Sequence, residues 1–229
     1  MLSKAYILHT RPFRENSIIA DCLVDQEIGR VSLFIRKGKK SQHQALCQPF
    51  QPLILEVTGH GDMKYANRLE AHSERFSLQG KHLFCALYMN ELICRIWPKD
   101  FASERLFPLY ETALQHLKQV DKSAIEPVLR QFEIALLDEL GLGIDFQSAN
   151  HGDYEVKSHN WYRFVPGEGF FLSYHRLRCF PGDALLQIAQ LNFSETHVRL
   201  AAKQIMRLAF QPFIGDEPLK SRTFFQTRT

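Results

Sequence analysis

The 229-residue sequence has no Cys-x-x-Cys pair; its five cysteines, Cys22, Cys47, Cys85, Cys94 and Cys179, are scattered and odd in number. That excludes a disulfide framework and a thiolate zinc site as readings of the cysteines, and fits reduced thiols in a cytoplasmic protein. There is no H-E-x-x-H among the ten histidines, no G-K-[ST] phosphate loop and no nucleophile elbow. Sequence support for a zinc hydrolase, a P-loop ATPase or an α/β-hydrolase is therefore missing. No apolar run is long enough to cross a membrane, and Met1-Leu2-Ser3-Lys4 leads straight into a strand-like run, without the pattern of a signal peptide. Internal repeats and low-complexity segments are also lacking. The net charge is only +3, so any argument for a polyanionic partner must rest on local clustering.

One stretch supplies such clustering. In Arg30-Val31-Ser32-Leu33-Phe34-Ile35-Arg36 the residues alternate as in a strand, with Val31, Leu33 and Ile35 on one face and Arg30, Ser32, Phe34 and Arg36 on the other. Beyond the strand the chain is expected to turn at Gly38, with Arg36, Lys37, Lys39 and Lys40 as four cations about the turn, and no acid lies between Glu27 and Glu56. A rigid strand feeding a cationic loop suits a phosphate backbone, and Phe34 between Arg30 and Arg36 suits base stacking. The same lysines equally describe an edge strand protected against association.

Along the chain, five strand-like runs fill residues 5–77: 5–10, 17–25, 30–36, 53–58 and 64–73. A loop at Arg11–Ser17 and turns at Gln26–Gly29 and Gly59–Asp62 separate them. Five short antiparallel strands in this length predict a small barrel of the OB type. Near Leu78-Gln79-Gly80 the period becomes helical, which predicts a domain at 1–78 and a second at 79–229. A first helix from Lys81 presents Leu83, Phe84, Leu87, Tyr88, Leu92 and Ile96 and stops before Pro98. Ser103 is placed to cap a second. Pro127 opens a third, with Leu129, Phe132, Leu136 and Leu140 apolar and Gly141 as its stop. A hairpin is expected from Trp161–Val165 and Phe170–Tyr174, then helices from Pro181 and, capped by Ser194, to about Phe210. The fold class is α+β.

Within the helical part, Glu91 shares a stripe with Phe84, Tyr88 and Arg95. No second acid or nucleophile is spaced to it, so a structural pair with Arg95 is expected rather than a catalytic carboxylate. Arg199, Lys203 and Arg207 recur every four residues, opposite Val198, Ala201, Ile205 and Leu208. They form either a solvated face or, with Arg130, Lys220 and Arg222, a surface for an acidic partner.

Taken together, Ala5–Ser17 (AYILHTRPFRENS), Gly29–Gly38 (GRVSLFIRKG), Gln48–Leu53 (QPFQPL), Tyr88–Leu92 (YMNEL), Leu129–Gly141 (LRQFEIALLDELG) and Pro218–Arg222 (PLKSR) resemble the bacterial RecO family in order and spacing. The resemblance implies an N-terminal five-stranded OB-fold barrel and a mostly helical C-terminal domain with a small hairpin insertion at about 145–180. It implies a cytoplasmic, non-enzymatic mediator of DNA repair and recombination, at the nucleoid during repair. Such a mediator binds single- and double-stranded DNA, anneals complementary strands and assists RecA loading on strands coated by single-stranded DNA-binding protein (SSB), with RecR. Arg30, Phe34, Arg36, Lys37, Lys39 and Lys40 become the DNA candidates. Arg130, with Leu129, Phe132, Leu136, Arg199, Lys203 and Arg207, becomes the candidate site for the acidic, Phe-ended tail of SSB. Many similar proteins carry a four-cysteine zinc site; here Ser148, His151, Ser173 and Arg176 stand at the corresponding places, so neither a metal nor another cofactor is expected. Two other functions use the same barrel: RNA binding by a generic OB-fold module, or a metal-dependent nuclease if Asp21, Asp25, Glu27 and Asp62 converge.

Overall fold

The computed structural model describes residues 2–13, 15–25, 28–36, 45–61, 63–215 and 217–221. Five strands, β1 (Leu2–Phe13), β2 (Ser17–Val24), β3 (Gly29–Arg36), β4 (Leu53–His60) and β5 (Met63–Ala71), close a barrel in the order β1-β2-β3-β5-β4. All neighbours are antiparallel except β3 and β5, which close the barrel in parallel. The predicted alternation holds along β3: Val31, Leu33 and Ile35 enter the barrel core with Ile7, Ala20, Cys22, Leu53 and Leu55. β1 is longer than expected. It continues through Pro12 to Phe13, which pairs with Ser17, so most of the expected loop is strand. The chain is α+β with an OB-type barrel at its N-terminus.

Helices α1 (Gly80–Ile96) and α2 (Leu106–Gln119) follow, then α3 (Ile125–Glu139). Ser103 holds the start of α2 as expected, its Oγ accepting from the N–H groups of Arg105 and Leu106 at 3.1 and 3.0 Å. Beyond α3 come the short strands β6 (Ser148–Ala149) and β7 (Tyr154–Glu155), the predicted hairpin β8 (Trp161–Val165) and β9 (Gly169–Ser173), β10 (Phe180–Pro181), α4 (Gly182–Ala189) and α5 (Thr196–Ile214). α5 runs past Phe210 and contains Pro212. There the proline leaves the Leu208 carbonyl without the N–H that would bond it four residues on, a cost the helix bears close to its end. Ser194 does not cap this helix; Glu195 stands at the N-cap without a side-chain bond.

Two compact units divide the described chain: residues 2–120 together with 219–221, and residues 121–218. The change of periodicity near residue 78 is a different boundary from this one, because α1 packs on β1 and on α2. Of the expected face of α1, Tyr88, Leu92 and Ile96 are buried but Leu83, Phe84 and Leu87 are half-exposed, and Cys85, Ala86, Met89 and Ile93 are buried in addition. A helix with apolar residues almost all round gives no single stripe to read.

Asn90 explains how α1 is locked to the barrel. The register of β1 shifts between Ile7 and His9, which takes Leu8 out of the ladder. The Leu8 carbonyl instead accepts from Asn90 Nδ2 at 3.0 Å, and Asn90 Oδ1 accepts from the Tyr110 hydroxyl of α2 at 2.6 Å. Tyr110 packs edge-on to Tyr6 at 5.2 Å, and Tyr6 donates to Glu111 at 2.7 Å. Burial, with the adjacent Glu111 carboxylate, pushes the Tyr6 hydroxyl well above its usual range, so it stays a donor.

Glu91 pairs differently from the expectation. Its carboxylate accepts from the N–H groups of Lys220 and Ser221, both at 2.8 Å, and from Ser221 Oγ at 2.7 Å. Burial works against its charge, but the bonds from Ser221 and Lys220 and the nearby Arg95 outweigh it and hold the carboxyl below its usual range. Arg95 contributes through its charge; Lys220 and Ser221 supply the hydrogen bonds.

Asn90→Ala is expected to lower stability by about 2–6 kcal/mol, since it strands two buried polar groups at about 1–3 kcal/mol each. Urea denaturation checks this; a fall in stability below about 1 kcal/mol would show that the bridge is not essential to the interface.

Candidate nucleic-acid interface and helical-unit site

On the outer face of the barrel, three rings from three strands form a row. Phe13 and Phe34 are 5.1 Å apart between centroids, and Phe34 and Tyr65 are 5.6 Å apart. Phe34 and Tyr65 lie directly opposite one another in the β3–β5 register. The row stands outside the barrel core, and Tyr65 is 39% exposed. Arg36, at the end of β3, is exposed. Lys37, Lys39 and Lys40 lie outside the described residues.

Arg30 does not share this open face. It is 9% exposed; its guanidinium donates to the Trp97 carbonyl at 2.7 Å and lies 3.9 Å from Asp21. The segment after α1 covers it: Asp100 N–H donates to the Arg30 carbonyl at 2.8 Å, and Trp97 Nε1 donates to the Phe101 carbonyl at 3.0 Å. Gly29, with φ of +70°, lies so close that a Cβ there would be 2.3 Å from the Phe101 oxygen. The alternation assigns Arg30 to the outer face correctly, but Trp97, 67 positions later in sequence, arrives with its segment to bury that end of the strand.

Lys99 and Asp100 are delivered by this segment to the barrel surface. Lys99 lies 4.0 Å from Asp21, and Lys64 of β5 pairs with Asp100. Around them is a pocket of about 250 Å³ lined by Arg11, Ile19, Ser32, Phe34, Lys64 and Lys99, among others. Arg11, Lys64 and Lys99 are cations that sequence spacing does not associate with Phe34; strand pairing brings them together. Of the acids a nuclease would have to gather, Glu27 and Asp62 lie outside the described residues. Asp21 is engaged by Ser32 Oγ at 2.5 Å as well as by Arg30 and Lys99.

In the unit of residues 121–218, α3 buries Leu129, Phe132 and Leu136 in the core. Arg130 is not at a rim. It is 7% exposed, one terminal nitrogen donates to Glu133 at 2.9 Å, and its Nε has no partner among the described residues. The three-residue spacing to Glu133 lets the pair form within one helix turn as both are buried. The α5 cations have different neighbours: Arg199 binds the Phe193 and Ser194 carbonyls and Thr196, Lys203 meets Glu126 of α3 at 3.2 Å, and Arg207 is exposed. A cavity of about 580 Å³ in this unit is lined by Leu137, not by Leu129, Phe132 or Leu136, along with Leu142, Phe164, Phe170 and Phe213.

The hairpin region holds itself by packing. Phe170 lies 5.6 Å from Phe146 and 5.1 Å from Phe164, and the Tyr162 hydroxyl accepts from Lys157 N–H at 2.7 Å. The four positions that correspond to a zinc site do not fit a metal. Ser148 Oγ donates to Asp145 at 2.5 Å, Ser173 Oγ bonds the His175 backbone, and Arg176 stacks its cation over Trp161 at 5.2 Å. Only His151 has a ring nitrogen to offer, and it sits edge-on to Phe171 at 5.1 Å. Among the described residues no three His, Cys, Asp or Glu side chains are grouped to hold an ion, and no helix is long and apolar enough to cross a membrane.

Two family models match the chain: Recombination protein O N terminal over residues 1–75 and Recombination protein O C terminal over residues 78–223. The DNA repair protein RecO of Alteromonas mediterranea is 41% identical over 229 residues, covering 98% of this chain and 96% of the relative. That of Vibrio cholerae is 38% identical over 231 residues, covering 100% and 95%, and that of Aliivibrio salmonicida 36% over 232 residues, covering 100% and 96%. The chain belongs to the RecO family.

Because the four positions offer one ring nitrogen and no thiolate, a chelator is expected to leave the melting temperature unchanged, and the purified protein to carry far less than one zinc per chain. Equimolar zinc by atomic absorption, with a chelator-induced fall in melting temperature, would reverse the assignment of these four positions.

Proposed function

We propose that this RecO-family chain is a non-enzymatic mediator of DNA repair and recombination. In this reading the barrel domain binds single- and double-stranded DNA, and the protein anneals complementary strands. With RecR it assists RecA loading on SSB-coated strands in the bacterial cytoplasm, at the nucleoid during repair. The observation that supports it most directly is the outer barrel face. There an aromatic row lies on the same strands as Arg11 and Arg36, neither of which meets an acid among the described residues. Rings take bases and cations take phosphates, the combination that single-strand-binding barrels use. Arg36, Lys37, Lys39 and Lys40 are the proposed phosphate contacts, and Phe34 a stacking contact; Arg30 acts indirectly, by holding the Trp97–Asp100 segment on the barrel. The domains at 1–78 and 79–229 then divide the work, DNA on the first and protein partners on the second.

The acidic tail of SSB is proposed to bind residues 121–218. The geometry there changes the order of contacts. Arg207 and Lys203 on the α5 surface attract the tail's aspartates, whereas Arg130 can reach a carboxylate only after Glu133 releases it. Leu129, Phe132 and Leu136 then act behind Arg130 rather than as an open wall, and Arg199 acts by holding the start of α5.

Replacing Arg36, Lys37, Lys39 and Lys40 together by Ala is expected to weaken DNA binding with thermal stability unchanged. The salt slope of log K should fall by about one for each phosphate that is no longer neutralised. Fluorescence anisotropy across a salt series measures it, and an unchanged slope removes these four cations from the DNA site. A labelled acidic peptide ending in Phe is expected to bind the wild type and to bind Lys203→Ala/Arg207→Ala roughly 3- to 10-fold more weakly, chiefly through a slower, less salt-sensitive association. Equal binding by that variant would move the tail site elsewhere.

A further inference from the structure

The pocket beside Phe34 is too small for a drug-sized ligand: about 250 Å³, below the roughly 300–1,000 Å³ of such sites. It has room for a single flat ring system. Phe34 forms one wall, and Tyr65, directly opposite it in the β3–β5 register, continues the aromatic surface towards solvent. The rim is cationic. Lys64 is tied to Asp100, Lys99 lies 4.0 Å from Asp21, which Ser32 also engages, and among the described residues no acid pairs with Arg11. A ring flanked by anionic groups fits this arrangement better than a neutral or cationic ligand.

The opposite wall is fixed in advance. The Lys99–Asp100 turn is held by Asp100 N–H on the Arg30 carbonyl, by Trp97 Nε1 on the Phe101 carbonyl, and by Arg30 itself on the Trp97 carbonyl. Gly29 lets this segment approach the barrel more closely than any side chain would allow. A pocket already in place has little ordering to do when its ligand arrives.

We propose that this pocket receives one unpaired nucleobase against Phe34, with the next base of the same strand stacked on Tyr65, and that it thereby makes the barrel favour single strands over duplex. A base in a duplex is stacked on both faces and paired at its edge, so it must be extruded before it can enter; a base in a single strand is already free to do so. Arg11 and Lys99 then face the phosphates on either side of the inserted base. The inference rests on the reading of the barrel as a DNA-binding face, and assigns to the pocket the strand selectivity of that face.

The test uses the full-length protein and fluorescein-labelled oligonucleotides: a single strand, the same strand with one central abasic site, and a hairpin duplex. Phe34→Leu and Tyr65→Leu keep apolar bulk but remove the ring. Each is expected to bind the intact single strand roughly 5- to 100-fold more weakly, with an unchanged salt slope and unchanged duplex affinity. In a strand just long enough to fill the site, the abasic position should cost the wild type a similar factor and cost Phe34→Leu little more. A 2-aminopurine at that position should be quenched by the wild type and not by Phe34→Leu. Equal weakening on strand and duplex, or no weakening in either variant together with no cost for the abasic strand, would overturn the pocket assignment. Should that happen while the Arg36, Lys37, Lys39 and Lys40 replacement still lowers the salt slope, the DNA-binding reading stands and the base pocket alone falls. A wild type that binds neither oligonucleotide would overturn both.

Discussion

Asn90 satisfies the one carbonyl of β1 that its register shift takes out of the ladder. A strand that shifts register inside a closed barrel leaves a backbone group without a ladder partner, and that group must be bonded or remain wet. Here it is bonded by a helix, and the helix is in turn bonded by α2 through Tyr110. The irregularity of β1 thus determines where α1 lies, and α1 determines where the Trp97–Asp100 segment emerges. That segment covers Arg30 and builds the far wall of the pocket beside Phe34. The candidate functional face of the barrel is in this sense one polar bond and one helix away from an interruption in a neighbouring strand.

What is legible in the sequence follows from which interactions are local. β3 alternates cleanly, so its inward and outward residues can be read directly, and the hairpin around Pro166–Glu168 announces itself through turn residues. The buried face of α1 cannot be read the same way, because apolar residues surround the helix and no single face dominates. The end of α5 lies beyond the expected Phe210 because the helix absorbs Pro212 in its last turn. The aromatic row is only partly visible: Phe34 stands out beside its cations, but Phe13 and Tyr65 join it only through strand pairing.

The cations divide in a way that charge counting does not reveal. Arg30 and Arg130 both sit in basic or amphipathic patterns and both are buried, one on a backbone carbonyl and one on a carboxylate. Guanidinium suits such places because its planar fork can bond several acceptors while its charge is neutralised nearby. Arg11, Lys64 and Lys99, which no basic or amphipathic pattern singles out, gather at the pocket instead. Fold support and candidate binding surface are exchanged between residues of the same chemical type, and only tertiary structure distinguishes them.

The three bonds that Glu91 accepts from Lys220 and Ser221 span 129 and 130 positions of sequence. The barrel and its two helices have all been synthesised by Val120, yet the turn fastened to them leaves the ribosome only after residues 121–218. During synthesis Glu91 must wait, with its carboxylate oxygens still bonded to water, while a whole second unit is translated. Contacts of such long separation form late. The order of manufacture therefore leaves the N-terminal unit unfinished until the second unit has emerged, and makes the Glu91 clasp a mark that synthesis has passed it.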